Sequence, residues 1–445
     1  MLHEKEPKGD VEFIKLTVNP DGKKYNFRPY FTISKENISA QAASNDVAIQ
    51  HPGRNRKKVI NEIIKAYPED SFYFVNVGKL RERVRIFKNN FLPENPDRKI
   101  AYEVKANPRV EILKIISDEG GDDIAFDCAS RNEYRRVLNV NPKAQVFFNH
   151  PVKLFEDIRE AALRKIYHYT VDTYSDIEDV LTYSASSLSQ DEIELAVQMQ
   201  TLNDKAAGNI FTKFGLKEKE AIEIIKFIKE ETKAWPGISI QIGFQHTDPG
   251  IFDKNIQNMA EVIREVGKVK TINVGEGIPV SCQVGDNYDV KEYLQVISKK
   301  IRKEILSLLL PEPKIIIESG RSMIAEAVDL LVSVVKIKDR KEGKSVFIND
   351  GLFTSFRFKA IHNWKYNLQA KGKGDRKLSN LKIPFKVEGQ TCDSGDHLGK
   401  MDFPSDLQRG DFLHLNSAGA YLACQDGSFN GFRSHTYVFY NDSSY

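Results

Sequence analysis

Short apolar runs alternate with helix-length amphipathic segments from about residue 72 to about residue 330. The runs lie at residues 72–75, 99–104, 123–127, 145–148, 169–172, 195–199, 238–242, 271–274 and 314–318. Residues 221–232 and 251–266 are examples of the amphipathic segments between them. Strand–helix alternation repeated about eight times is typical of parallel βαβ units. It favours a closed (β/α)8 TIM barrel, with a doubly wound open sheet as the alternative.

The pattern changes after about residue 325. Residues 327–338, 345–349, 411–415 and 436–440 look like strands and have no long helices between them, whereas residues 367–380 form a polar loop. This predicts an all-β second domain. Near the N-terminus, residues 12–18 alternate like a strand and residues 57–67 follow a helical pattern. We therefore divide the chain into an N-terminal extension (1–71) that helps to complete the β-domain, a barrel (72–325) and the β-domain (326–445).

Composition narrows the class of protein. A chain of 445 residues is too long for a single hydrophobic core. A formal net charge of +3 gives no reason to expect nucleic-acid binding, and no apolar stretch is long enough for a membrane span. The N-terminus is charged and lacks the apolar region of a secretory signal. Four scattered cysteines without CxxC spacing argue against a metal site and for a reducing, cytoplasmic location.

Reactive groups in a (β/α)8 barrel lie at the carboxyl ends of the strands. Lys105 ends one predicted strand and is either a lysine that reaches toward solvent or a desolvated, nucleophilic lysine that forms Schiff bases. Gly275 and Gly277 follow another strand and could cradle a phosphate or simply form a turn. Glu318 and Arg321 follow the last strand, either as a structural ion pair or as partners of a pyridine ring and an anion.

Six motifs in order resemble the fold-type III pyridoxal-phosphate decarboxylases, which include the ornithine, diaminopimelate and carboxynorspermidine decarboxylases and share their barrel with alanine racemase. They lie at residues 102–107, 126–130, 318–321, 349–351, 392–396 and 429–432. The resemblance extends from about residue 72 to residue 440 and implies pyridoxal 5′-phosphate as the cofactor and a small amino acid as the substrate. It also implies a cytoplasmic homodimer with active sites shared across the interface.

The resemblance implies a role for individual residues. Lys105 would carry the cofactor, Glu318 would face its ring nitrogen, and Asp127 would be an acid close to Lys105. The phosphate would be held by Gly275, Gly277, Arg321 and Tyr421. Cys392 and Asp393 would enter the active site from the partner subunit, where the cysteine protonates the carbanion and the acid faces the substrate.

Four positions depart from the family pattern. Gln241 stands where a histidine usually stacks on the cofactor, and Phe244 where a serine helps to hold the phosphate. Glu276 is the middle residue of the usual glycine triplet, and Ser319 replaces a proline. These departures leave open a cofactor held in a different way, or a non-catalytic homologue that acts as a binding protein.

The expected substrate has a carboxylate at its distal end. The position of the aspartate that holds the distal amine in ornithine decarboxylases falls on His362, and Arg357 and Lys359 make the same segment cationic. Asp393 and Phe429 complete the expected substrate site. A cationic pocket selects carboxylates. N-citrylornithine, from the synthesis of polycarboxylate siderophores of the rhizoferrin type, is the favoured substrate. The alternatives are meso-diaminopimelate, and ornithine or lysine.

Overall fold

The computed structural model describes residues 48–51, 55–67, 70–201, 213–281, 288–308, 312–341, 343–425, 427, 429–432 and 435–441. In these residues the α-helices are α1 (Arg56–Ala66), α2 (Val77–Asn90), α3 (Val110–Gly120), α4 (Arg131–Val140), α5 (Phe155–Leu163), α6 (Tyr174–Ser184), α7 (Glu218–Glu231), α8 (Gly250–Val266), α9 (Val290–Glu304), α10 (Arg321–Ile324) and α11 (Arg357–His362). The strands are β1 (Ala48–His51), β2 (Phe72–Asn76), β3 (Lys99–Glu103), β4 (Ile124–Cys128), β5 (Gln145–Phe148), β6 (His168–Val171), β7 (Glu194–Met199), β8 (Trp235–Ile240), β9 (Thr271–Asn273), β10 (Lys314–Ser319), β11 (Val328–Arg340), β12 (Gly343–Ile348), β13 (Gln369–Lys371), β14 (Lys382–Glu388), β15 (His397–Pro404), β16 (Phe412–Leu415) and β17 (Thr436–Tyr440).

Strands β3 to β10 close into a parallel barrel in the order β10-β3-β4-β5-β6-β7-β8-β9. Closure rules out the open sheet and confirms the predicted (β/α)8 fold. The helices that follow the strands pack their apolar faces on the outside of the barrel, as in α8, where Phe252, Ile256, Met259 and Ile263 are buried. These positions recur at helical spacing, which is why the sequence pattern revealed the helix.

The second sheet is mixed and has the order β1-β17-β2-β11-β12-β14-β15, with β16 pairing β11 and β13. Its strand β2 is the apolar run at 72–75 that the sequence pattern assigned to the barrel. In the structure β2 pairs with β11 and β17 instead. All five of its residues are buried. A short run that is buried throughout gives no periodicity from which to tell a barrel strand from the centre of another sheet.

The N-terminal part of the described chain packs on this second sheet. β1 adds a parallel edge strand beside β17. The helix predicted at 57–67 is α1, whose Val59, Ile60, Ile63 and Ile64 are buried against Phe72 and its neighbours in the sheet. The side chain of Asn55 begins the helix by accepting a hydrogen bond from the backbone N–H of Lys58, at 3.0 Å. The predicted strand at 12–18 lies outside the described residues.

Besides β1, three strands of the second sheet were not expected from the sequence. β14 and β15 carry several charged residues, so their alternation is weak, and β13 lies in the segment predicted as a polar loop. Each of the three is hydrogen-bonded to a neighbouring strand: β14 pairs with β12 and β15, and β13 pairs with β16. Pairing in the tertiary structure decides such strands more than their own composition does.

Alternate residues of the barrel strands point inward and form layers. The middle layer is apolar, with Ala101, Ala125, Phe147 and Ile316 packed together. Positions two residues earlier in the strands form the floor of the barrel, and positions two residues later form its mouth. The mouth is therefore the end at which polar side chains from several strands meet.

Candidate active site

Lys105 lies at the mouth of the barrel, in a single 3-10 turn (Val104–Ala106) that follows β3. Its Nζ is 2.8 Å from Glu103 Oε1 and 3.4 Å from Asp127 Oδ2. The side chain is 42% exposed because it faces a cavity. The lysine is thus held by anions at the point where a ligand would enter.

The ionisation of Lys105 differs from the sequence-based expectation. Desolvation on its own would lower the pKa of Lys105, as expected for a nucleophilic lysine. The carboxylates of Glu103, Asp127 and Glu318 outweigh it and raise the pKa well above its usual range. In this arrangement Lys105 is an ammonium, so it must give a proton to a neighbour before it can act as a nucleophile.

Three carboxyl groups surround the lysine. Glu103, Asp127 and Glu318 point inward from β3, β4 and β10, and one oxygen of each lies within 4.8 Å of the others. Lys105 provides the positive charge among them. Burial raises the pKa of Asp127 well above its usual range and that of Glu318 to about 7. The positive charge of Lys105 lowers both pKa values but does not outweigh burial. More acids meet here than one lysine neutralises.

Glu318 is held by two amides. Asn149 Nδ2 donates to Glu318 Oε1 at 3.0 Å, and Asn273 Nδ2 donates to the same oxygen at 2.6 Å. The amides are themselves fixed, since Thr170 donates to Asn149 Oδ1 and the N–H of Gly275 donates to Asn273 Oδ1. A carboxyl group oriented in this way can accept a hydrogen bond from the ring N–H of a ligand.

The loop after β9 needs its glycines. Gly275 has φ of +70°, and a Cβ there would lie 2.3 Å from the carbonyl oxygen of Ile240. Gly277 has φ of +154°. Between them, Glu276 is 3% exposed. Its Oε1 accepts hydrogen bonds from the backbone N–H groups of Gly320 and Arg321, both at 2.9 Å.

Arg321 is buried beside this loop and surrounded by aromatic rings. Its guanidinium carbon lies 4.8 to 5.9 Å from the ring centroids of Phe244, Phe358, Trp364 and Tyr421. Contacts of this kind stabilise a desolvated cation. Arg321 Nε is buried and has no hydrogen-bond partner within the described chain. It is a donor available to an anionic ligand.

A cavity of about 220 Å³ opens on these groups. Its lining includes both the expected residues and the departures from the family pattern. The lining residues are Glu103, Lys105, Gln198, Met199, Gln200, Thr201, Phe214, Gln241, Gly243, Phe244, Glu276, Arg321, Phe358 and Tyr421. Gln241 and Phe244 therefore both line this cavity, and Phe244 contacts Arg321 through its ring.

A second, outer recess of about 510 Å³ also reaches Lys105. Arg136 from α4 and His362 from α11 line it, together with Glu133 and Cys424. Glu133 is turned away from a ligand, since its Oε2 caps the backbone N–H of Ala129 at 2.7 Å. Arg136 thus brings a positive charge to this recess, and His362 brings an imidazole ring.

Nine of the expected residues do not line either recess in the described chain. Four of them are buried in the barrel: Asp127, Gly275, Gly277 and Glu318. The other five belong to the second domain. Cys392 and Asp393 are exposed on a turn of the second domain, and Phe429 stacks on Phe353. Arg357 is exposed, and Lys359 Nζ donates to Asn363 at 2.9 Å. The expected site therefore divides into a group around Lys105 and a group on the surface of the β-domain.

Several site residues were missed by sequence reasoning. Glu103 lies two positions before Lys105, so the period of the strand could have placed it on the inner face. Asn273 is the last residue of β9, so the period of that strand could also have placed it on the inner face. Arg136 gave no such signal, because its helix α4 reaches the recess only through the tertiary packing. Tyr421, by contrast, was among the expected residues, and its hydroxyl donates to Glu103 Oε2 at 2.7 Å.

A family model described as the pyridoxal binding domain of the pyridoxal-dependent decarboxylases matches residues 77–325, more than half of the chain. The chain belongs to this family. It is a pyridoxal-phosphate-dependent amino-acid decarboxylase, as the resemblance predicted, and its cofactor is pyridoxal 5′-phosphate. Within the described residues, every helix is too short or too polar to cross a membrane.

Three relatives give the range of the family. The chain is 26% identical over 395 residues to a lysine/ornithine decarboxylase of Selenomonas ruminantium, covering 87% of this chain and 94% of the relative. It is 26% identical over 375 residues to a diaminopimelate decarboxylase of Staphylococcus aureus, covering 82% of this chain and 87% of the relative. The structure of the arginine decarboxylase of Paramecium bursaria Chlorella virus matches this chain with a TM-score of 0.74 at 23% identity. The match covers 86% of this chain and 99% of the viral chain, and it supports the fold.

The residues present fit pyridoxal phosphate in most respects. The amine of Lys105 faces the cavity, Glu318 is an oriented carboxyl group, and Arg321 Nε and Asp127 Oδ1 are buried polar atoms without hydrogen-bond partners in the described chain. These groups suit an aldehyde, a basic ring nitrogen and an anion. Glu276 is the exception, because it occupies two backbone donors with a carboxyl group of the chain itself.

Proposed function

We propose that Lys105 holds the cofactor covalently, that Glu318 faces the ring nitrogen, and that Arg321 with the loop at 275–277 holds the phosphate. Lys105, Glu276 and Arg321 line one cavity, and Glu318 lies in the cluster of acids around Lys105, which supports this proposal. When bound, pyridoxal phosphate supplies an electron sink for the charge left on the α-carbon as carbon dioxide departs. The work of the protein is to orient it and to move protons.

Glu103 accepts the proton that Lys105 must lose before its amine can react. Glu103 Oε1 lies 2.8 Å from Lys105 Nζ, within the distance needed for proton transfer. Burial alone would raise the pKa of Glu103, but Lys105 and the hydrogen bonds from Glu276 and Tyr421 lower it. It is therefore an anion in the resting site, and it is the carboxylate nearest to Lys105 Nζ.

Cys392 and Asp393 act in the active site of a second copy of the chain. Both side chains are exposed and lie outside the recesses of their own subunit. Placed beside a partner's Lys105, the thiol would protonate the α-carbon after decarboxylation, and the carboxylate would face the substrate. A homodimer with two shared sites follows from this assignment.

We further propose that the substrate is an amino acid with a distal carboxylate, and that N-citrylornithine is this substrate. The observation that carries the proposal is the outer recess, which Arg136 and His362 line next to Lys105. Glu133 accepts a hydrogen bond from the backbone there, and one nitrogen of the Arg136 guanidinium donates to the carbonyl oxygen of Pro108 at 3.4 Å. Cationic groups of this kind bind carboxylates. A recess of about 510 Å³ has room for a citryl group. Arg357 and Lys359 add positive charge to the same helix but do not line the recess.

Carbon dioxide release from N-citrylornithine, meso-diaminopimelate, ornithine and lysine, measured side by side, tests the substrate. We expect the highest kcat/KM for N-citrylornithine. Arg136→Ala should raise KM for this substrate by on the order of 10-fold, the effect of losing one charge-assisted hydrogen bond. Lys359→Ala is the matched control, since its amine bonds Asn363 outside both recesses.

His362→Asp places an acid where a distal ammonium would reach it. We expect this variant to lose activity toward carboxylate substrates and to gain activity toward ornithine. A wild-type enzyme that prefers free ornithine would overturn the substrate proposal but not the decarboxylase activity. A preference for meso-diaminopimelate would keep the distal carboxylate and exclude the citryl group.

A further inference from the structure

The backbone N–H groups of Gly320 and Arg321 form a buried cradle of the kind that binds a phosphate. They converge on one point, 2.9 Å from each nitrogen, next to the unpartnered Nε of Arg321. Backbone N–H groups and an arginine are the donors that anionic oxygens require. A Cβ at Gly320 would lie 2.3 Å from Glu103 Oε2, so a side chain there would push this carboxylate aside. The cradle is thus built from groups that the packing fixes.

In this structure the acceptor in the cradle is Glu276 Oε1. The carboxyl group also makes a hydrogen bond with Glu103, and the side chain is almost fully buried. Burial raises the pKa of Glu276 well above its usual range. The raised pKa favours the protonated form of this carboxyl group, whose O–H can donate to the carboxylate of Glu103. Each of its two oxygens has a partner, so it is a well-satisfied occupant.

We propose that Glu276 occupies the position of the cofactor phosphate, and that the phosphate must displace its side chain from the Gly320 and Arg321 N–H groups in order to bind. The inference deepens the proposed cofactor site and rests on it. Two acceptors cannot share the same two donors. Displacement of the glutamate therefore reduces the net free energy with which the phosphate binds. Glu276 therefore sets how strongly the enzyme prefers the phosphorylated cofactor over pyridoxal.

The ratio of the dissociation constants of pyridoxal and pyridoxal phosphate tests this proposal. Both are measured by equilibrium titration of the apoenzyme, with the visible absorbance of the bound ligand as the readout. In Glu276→Ala the cradle is open, and the ratio should rise by on the order of 10- to 100-fold because only the phosphorylated ligand uses the cradle. Glu276 lies outside the positive-φ region, so alanine fits its backbone.

Two further variants make the test decisive. In Glu276→Gln the amide oxygen still fills the cradle, and the ratio should stay within about threefold of the wild type. Glu194→Gln removes a buried carboxylate at the opposite end of the same barrel and should leave the ratio unchanged. An unchanged ratio in Glu276→Ala would overturn the proposal. An equal rise in the alanine and glutamine variants would also overturn it, because charge rather than occupancy would then be responsible.

If Glu276→Ala does not fold, the glutamine variant decides the question. A rise of about tenfold in the ratio of dissociation constants for Glu276→Gln would refute displacement. The outcome is also separable from that of the proposed function. A wild-type enzyme that binds pyridoxal phosphate and releases carbon dioxide, with no change of the ratio in Glu276→Ala, disproves only the inference. Failure of the wild-type enzyme to bind the cofactor through Lys105 disproves the proposed site instead.

Discussion

The floor and the mouth of the barrel are both buried and both charged, yet their charges are arranged in opposite ways. At the floor, Glu194 lies between two donors: Lys314 Nζ is 3.1 Å from its Oε1, and His168 Nδ1 is 3.1 Å from its Oε2. Burial alone would raise the pKa of Glu194, but these partners lower it to about 2. The floor holds one acid that is fully compensated.

At the mouth, the acids outnumber the bases. Glu103, Asp127, Glu276 and Glu318 gather around Lys105, and the pKa of the last three is raised chiefly by burial. The two ends are four residues apart on β10, which carries Lys314 at one end and Glu318 at the other. A compensated charge stabilises the fold, whereas uncompensated acids are tolerated where a ligand will supply the missing partners.

The largest effect is expected from removing Lys105, the cation around which the acids of the mouth gather. Lys105→Ala should abolish turnover and the visible absorbance of the bound cofactor, because no amine remains to hold it. The four acids also lose their cation, so the apoenzyme should unfold at a lower denaturant concentration. Activity assays and urea titration measure the two effects.

Lys105→Arg is the matched control for the charge. It keeps a cation at the mouth but cannot act as a nucleophile, since arginine stays protonated. We expect no turnover but a stability closer to the wild type. Measurable turnover in either variant would show that Lys105 does not carry the cofactor.

Glu318→Gln should reduce kcat by on the order of 10²–10³-fold, the usual effect of removing one oriented electrostatic partner. The amide is the same size, so the packing of Asn149 and Asn273 around it changes little. We expect KM to change much less than kcat, because the position proposed for Glu318 faces the cofactor and not the substrate. Steady-state kinetics separate the two constants, and an unchanged kcat would exclude this position for Glu318.

Glu194→Gln should affect stability without affecting chemistry. It leaves Lys314 without its carboxylate in a mostly buried site, which should lower the free energy of unfolding by about 3 kcal/mol. The kinetic constants and cofactor affinity should remain those of the wild type. Chemical denaturation and kinetics on the same preparation test this, and a large loss of kcat would mean that the two ends of the barrel are coupled.

The pH dependence of apoenzyme stability should have opposite signs at the two ends. Glu318 has its pKa raised from 4.5 to about 7, so its contribution to stability is largest below pH 4.5 and is lost as pH rises to 7. Glu194 has its pKa lowered to about 2, so its contribution is present above pH 4.5 and is lost as pH falls toward 2. Melting temperatures of the apoenzyme from pH 4 to 8 should therefore fall less steeply in Glu318→Gln than in the wild type. Equal slopes would contradict the raised pKa.

Much of this could be predicted from the sequence because the signals are local. The alternation of strands and helices fixed the barrel, and Lys105, Glu318 and Arg321 were found because each follows an apolar run at its carboxyl end. The assignment of β2 failed for the same reason: a run of five buried residues looks the same in either sheet. The charged strands β14 and β15 gave no signal, because pairing and not composition makes them strands.

The chemical arrangement of the site was decided only by the tertiary structure. The sequence placed an acid at 276 but could not show that its carboxyl group fills the cradle at Gly320 and Arg321, on a strand end more than forty residues away. It suggested a desolvated, nucleophilic Lys105, whereas three carboxylates from separate strands make it an ammonium. Ionisation and occupancy depend on distances across the barrel, and a linear pattern contains the residues but not those distances.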